Sequence, residues 1–265
     1  MSSRFEQFLR EREYLLGVSP NTIEWHRQSL QWLRIEEPTA EDLKELVLRM
    51  RAAGLKPSSV NCRLRSINAY LHWNSGASTD RKCGAGCQHP HVPRVKEPVL
   101  VLPTFSLEDI HKLRAYKPKD YCQQRLQTLA LMLADTGCRI TELLSLQWKD
   151  VDFDNLLVTV RGKGDKQRVI PFSFEMRKFL YRLKQNFTKL GDSPLVFPTR
   201  TQNTQLRGNV LRDIKLLCRE LIINIPRRAL HAFRHSMATT YIKRGGSVVS
   251  IVTVFVQEST ATQSS

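Results

Sequence analysis

The chain has 265 residues, 41% apolar and 8% aromatic, which excludes disorder throughout and suffices for one large core or two smaller ones. Forty-one Lys and Arg against 25 Asp and Glu give a formal charge of +16, an imbalance that points away from most small-molecule enzymes and toward a polyanion, nucleic acid first. No run approaches the roughly 20 consecutive apolar residues of a membrane span, the start Met1-Ser-Ser-Arg-Phe-Glu lacks a signal-peptide profile, and six scattered cysteines read as reduced thiols, so a cytoplasmic protein is expected.

The first 80 residues carry 11 basic against 10 acidic side chains, leaving nearly all of the excess charge to residues 81–265. Phe5, Phe8, Leu9, Leu15 and Leu16 form an apolar stripe, and Ser19-Pro20 supplies a helix start for Ile23, Leu30 and Leu33. Thr39-Ala-Glu-Asp42 reads as a capping box ahead of Leu43, Leu46, Val47 and Met50, with Gly54 where a left-handed cap belongs. Pro57 opens a fourth helix with Val60, Leu64, Ile67 and Leu71 on one face; Arg63 and Arg65 lie off it, either on a solvated face or against a duplex. A stretch rich in Gly, Pro and Ser follows, placing a linker over 77–103.

Past the linker, Ser106 and Asp109 again make a capping pattern, and a long helix through Leu126, Leu129, Ala130 and Leu133 stops at Thr136-Gly137. A new helix begins at Ile140. Leu156–Val160, the turn Gly162–Asp165 and the return run Gln167–Pro171 predict a basic hairpin with Lys163 at its tip. Apart from the short apolar run Leu195-Val-Phe, the remaining periodicity is helical, through Val210 to Ile223 and from His231 to Arg244. The expected fold is mainly α with one small antiparallel sheet.

Three ordered segments carry a resemblance. Thr136-Gly-Cys-Arg139-Ile-Thr-Glu142, the hairpin Gly162-Lys163-Gly-Asp-Lys166-Gln-Arg168, and His231-Ala-Phe-Arg234-His235 together resemble the tyrosine recombinase (phage integrase, XerC/XerD-like) family. Residues 1–76 similarly resemble that family's SAM-like core-binding domain, and 104–265 its mixed α/β catalytic domain, incomplete at the C-terminus. The resemblance implies a site-specific DNA recombinase using phosphoryl transfer, in which charge gathering on the nonbridging oxygens must be stabilised. Arg139 and Arg234 match the two arginines that clamp those oxygens, a bidentate task for which lysine is a poor replacement. Lys163 matches the lysine that protonates the departing 5′ oxygen, with Lys166 as its competitor, and His231 matches the histidine that assists proton transfer at the nucleophile. Lys166, Arg168 and His235 are expected beside the DNA, together with Arg63 and Arg65. Glu142 and Asp150 are expected to orient basic groups or cap helices. The resemblance further implies no metal or other cofactor, double-stranded DNA as partner, assembly with copies of itself or other recombinase subunits on DNA, no membrane, no small-molecule substrate and a prokaryotic, nucleoid-bound setting.

The end of the chain departs from the pattern. Family members continue past the Gly-Gly turn with a Leu-Gly-His segment and then a tyrosine nucleophile, whereas Gly245–Ser265 contains neither. Tyr241, seven residues past Arg234 in the same helix, lies too early for that role, so the nucleophile is expected to be missing, as in a truncated or frame-shifted reading frame. The alternative function is a non-catalytic DNA-binding protein derived from such a recombinase. Cys83, Cys87, His89 and His91 fall within nine positions; they are read as part of a reduced linker, with a crowded zinc site as the competing reading.

Overall fold

The computed structural model describes residues 3–76, 91–98, 103–162, 167–187, 193–226 and 228–248. The chain divides into two compact units, Met1–Leu100 and Val101–Ser265.

The first unit holds four helices, α1 (Ser3–Tyr14), α2 (Pro20–Leu33), α3 (Ala40–Ala52) and α4 (Pro57–Asn74). The capping box forms as the spacing predicts: Asp42 N–H donates to Thr39 Oγ1 at 3.2 Å and Thr39 N–H to Asp42 Oδ2 at 2.8 Å. Gly54 follows α3 with φ of 80°, a conformation that a Cβ would strain. Phe8, Leu30, Met50, Leu64, Ile67 and Tyr70 fill the core, with Phe5, Tyr70 and Trp73 meeting edge-on or tilted. Part of the stretch read as linker belongs to this unit. Asn61 and Asn68, two turns apart on α4, each use the side-chain amide as a peptide group would: Val95 N–H donates to Asn61 Oδ1 (2.8 Å) and Asn61 Nδ2 to Val95 O (2.8 Å). Asn68 makes the same reciprocal pair with Val92, both bonds at 3.0 Å. The spacing matches, because seven helical residues rise about 10 Å and three extended residues span about the same length. Val92 is buried by this docking.

The second unit contains α5 (Leu107–Ala115), α6 (Tyr121–Thr136), α7 (Ile140–Leu144), β1 (Val151–Asp152), β2 (Leu157–Arg161), β3 (Gln167–Pro171), α8 (Phe174–Phe187), α9 (Arg207–Glu220) and α10 (Ala229–Lys243). Helix α6 is the centre: Leu129 through Leu133 are all buried, as in a helix packed on every side. The sheet is antiparallel in the order β1-β2-β3, with Val158 opposite Ile170 and Val160 opposite Arg168. Val158, Val160 and Ile170 are buried while Val169 is exposed, so the two-residue period sends Arg168 toward the interior with Ile170. Leu195 forms a single bridge with Gln147 instead of a strand. Phe105, Leu131, Ile170, Met176, Phe179 and Tyr241 line an apolar groove of about 510 Å³ within this unit. Among the described residues no helix is long and apolar enough to cross a membrane.

Candidate functional site

Three separate elements bring guanidinium groups together around the α6–α7 junction, two of them onto the Glu142 carboxylate and one onto the Gly137 carbonyl. Helix α6 ends at Gly137, whose φ of 63° turns the chain so that Arg139 caps α7. The backbone N–H of Arg139 donates to Glu142 Oε2 at 2.7 Å, and its Nη1 to Oε1 at 3.0 Å. From β3, Arg168 Nη2 donates to Glu142 Oε2 at 2.7 Å. From α10, Arg234 Nη1 donates to the Gly137 carbonyl at 2.7 Å. The three bonds to Glu142 are charge-assisted, and because Glu142 is only 3% exposed they are poorly screened.

The electrostatics are lopsided. Burial, then the charges of Arg139 and Arg168, push the Arg234 guanidinium down to about 10, with Glu142 offsetting only part of the effect. Among the described residues three guanidiniums gather around one carboxylate, and the forked geometry of arginine suits a phosphate contact. Cys138, between Gly137 and Arg139, is buried, and desolvation pushes its thiol up to about 12, which disfavours the thiolate.

His231 lies one turn before Arg234 on α10, so both side chains share a face. It is exposed, and its pKa is lowered by desolvation, then by Arg207, Arg228, His235 and Arg234, which favours a neutral imidazole at neutral pH. Arg207 and Arg228 were not singled out by the sequence pattern. Both are exposed arginines among many: Arg228 is the N-cap of α10, three residues before His231, whereas Arg207 opens α9 and reaches His231 through the packing of α9 beside α10.

The remaining sequence candidates fall as follows. Lys163 and Lys166 lie outside the described residues, as do Cys83, Cys87 and His89. His91 is exposed just ahead of Val92, and no group of three or more potential metal ligands occurs among the described residues. Arg65 and His235 are exposed. Arg63, expected beside DNA, is half-buried: Nη1 donates to the Gln28 carbonyl at 3.3 Å and the group stacks 5.7 Å from the centre of the Trp32 ring, which ties α4 to α2. Arg168, also expected beside DNA, has a side chain only 9% exposed and points at Glu142. Tyr241 lines the apolar groove, whose walls include none of the basic site residues, and its ring lies where a Cβ on Gly246 would fall 2.1 Å from Cε1.

Residues 104–258 match the model of the phage integrase family. The chain therefore belongs to the phage integrase family of tyrosine recombinases. This family member is 31% identical over 255 residues to the tyrosine recombinase XerA of Pyrococcus furiosus, covering 92% of this chain and 82% of that protein. It is 25% identical to XerD of Rhizobium meliloti, over 93% of this chain and 84% of that one. Its fold is shared with the Tn1549 transposon integrase solved with transposon right end DNA, at a TM-score of 0.73 and 20% identity over 95% of this chain and 89% of that chain. A lambda integrase dimer bound to a COC′ core site gives a TM-score of 0.71 at 13% identity, covering 99% and 97%. The mainly helical recombinase with a small antiparallel sheet is thus the architecture expected from the sequence.

Proposed function

We propose that this tyrosine recombinase binds duplex DNA and grips one phosphodiester between Arg139 and Arg234, with His231 beside it, in site-specific recombination. The observation that carries the reading is the convergence of Arg139 and Arg234, 95 residues apart, on one spot with surplus positive charge. Such a site stabilises the charge on the nonbridging oxygens of a phosphate under attack. A neutral His231 can accept the proton of an attacking hydroxyl, and Lys163, from the loop joining β2 to β3, donates one to the departing 5′ oxygen. The relatives solved on DNA support duplex DNA as the partner. Assembly with copies of itself or with other recombinase subunits, in a bacterial or archaeal cytoplasm, completes the reading.

Cleavage also requires a phenol oxygen in line with the leaving group at near-attack distance, about 3–3.5 Å from phosphorus. The position of Tyr241 in the apolar groove, and the lack of any tyrosine between it and Ser265, favour a second reading for residues 1–265 taken alone: binding without a covalent step. A nicked suicide duplex carrying the protein's own site separates the two. The binding-only reading expects retention on DNA and no denaturation-resistant adduct; an adduct lost in Tyr241→Phe would restore catalysis to this chain. Failure to bind duplex DNA at low salt would overturn both.

A further inference from the structure

We propose that Arg168 is a positioning residue for the phosphate clamp, holding Glu142 so that Arg139 presents its fork to the anion; this rests on the phosphate-gripping reading above. Three observations support it. The strand register sends Arg168 inward beside Ile170, so its burial is built into the sheet and is not a chance rotamer at a hairpin edge. Its only hydrogen bond recorded among the described residues is to Glu142 Oε2, and its buried Nε has no partner there. The carboxylate already accepts two hydrogen bonds from Arg139, so a third donor is not needed to satisfy it.

Arg168 shares the Glu142 counter-charge with Arg139, and apolar residues of similar volume commonly replace buried ion pairs at no cost. What Arg168 does instead is geometric. By holding Oε2, it leaves Oε1 as the guanidinium contact of Arg139. Without it, Oε2 keeps only the Arg139 N–H, and its second lone pair can accept from the Arg139 fork, turning donors away from the phosphate. The same bond fastens β3, the strand that follows the Lys163 loop, to the start of α7.

The test uses the full chain, inorganic phosphate at constant ionic strength and a duplex DNA, with calorimetry for the first and anisotropy for the second. Arg168→Met, close in volume and uncharged, is expected to unfold at or above the parent temperature yet to bind phosphate about tenfold more weakly, the scale of one charge-assisted contact. Arg168→Lys keeps the charge and loses the fork, and is expected to recover only part of that loss. In an Arg139→Ala background the further effect of Arg168→Met should nearly vanish, because Arg168 acts through Arg139. Parent-like phosphate binding by a folded Arg168→Met protein overturns the proposal, as do fully additive losses with Arg139→Ala. If Arg168→Met does not fold, Arg168→Lys decides, and parent-like binding by it overturns the proposal. If Arg139→Ala itself leaves phosphate and DNA binding unchanged, the phosphate-gripping reading has failed; if Arg139→Ala weakens binding and Arg168→Met does not, only this inference has.

Discussion

His26, Asn61 and Tyr70 are polar groups buried in the first unit, and each meets a matched partner: His26 Nδ1 lies 2.7 Å from Ser66 Oγ, Asn61 pairs with the Val95 backbone, and Tyr70 donates to the Glu36 carbonyl at 3.0 Å. The second unit buries Glu142 under an excess of guanidinium charge instead. The pairs in the first unit fix the packing and leave no net charge behind. Among its described residues the second unit instead gathers several cations around a single buried carboxylate, the kind of perturbed site where a ligand is expected in preference to a purely structural role.

The largest effect that would sharpen this contrast is ionic strength. Affinity for duplex DNA should drop by orders of magnitude, about 10³-fold or more between 50 and 200 mM salt if six or more phosphates are contacted. Arg207→Ala or Arg228→Ala should each lower the slope of log affinity against log salt by about one, and Arg63→Ala should leave it unchanged. Equal slopes for all three variants would erase the distinction between the units.

Acid should act on the first unit. Desolvation, then the nearby Arg12, holds His26 down at about 4 against 6.5 when unfolded. The unfolded chain therefore binds the extra proton first, and stability is lost as pH falls from about 6.5 to about 4, by on the order of 3 kcal/mol. Hydrogen exchange of α2 and α4 amides across that range measures it. The loss should be absent in His26→Gln, and a flat profile in the parent would break the assignment.

Arg139→Ala and Arg234→Ala should each weaken DNA binding by about 2 kcal/mol, the range of a hydrogen bond to a charged group. The unfolding temperature should change little, because either change removes part of the surplus charge. Unfolding at room temperature would identify the residue as a structural brace. The smallest effect concerns His231. Its pKa is lowered in the free protein by desolvation and the surrounding cations, and a bound phosphate should raise it, so a proton is taken up on binding and DNA affinity should rise severalfold as pH falls below about 6.5. His231→Gln should flatten that part of the curve, which anisotropy at constant ionic strength records.

Local signals explain what could be read from the sequence. The capping boxes at Thr39 and Ser106 and the stop at Gly137 depend on neighbours within four residues, and they form where the spacing places them. Arg139 and Arg234 stand out in the sequence through ordered motifs, and the fold brings the two close together. The inward face of Arg168 follows from the alternation of Val158, Val160 and Ile170, but only once the pairing of Val160 with Arg168 is known. Strand β1 has two residues, too few to show a period. Residues 91–98 lack periodicity for a different reason: their partners are two side-chain amides on a helix, which impose no pattern of polar and apolar residues on the bound segment.

That docking sets the boundary at which the first unit can be cut out for expression. A piece ending at Gly76, where the helical pattern stops, would lose Val92 and Val95, strip the reciprocal partners from Asn61 and Asn68, and open the core face of α4 to water. Water would then hydrate the two amides, so the cost falls mainly on the apolar surface of α4 that Val92 no longer covers, about 25 cal/mol per Å². Asn61 Nδ2 also reaches Glu97 Oε1 at 2.6 Å, so the shortest piece that keeps its own fold complete ends after Glu97.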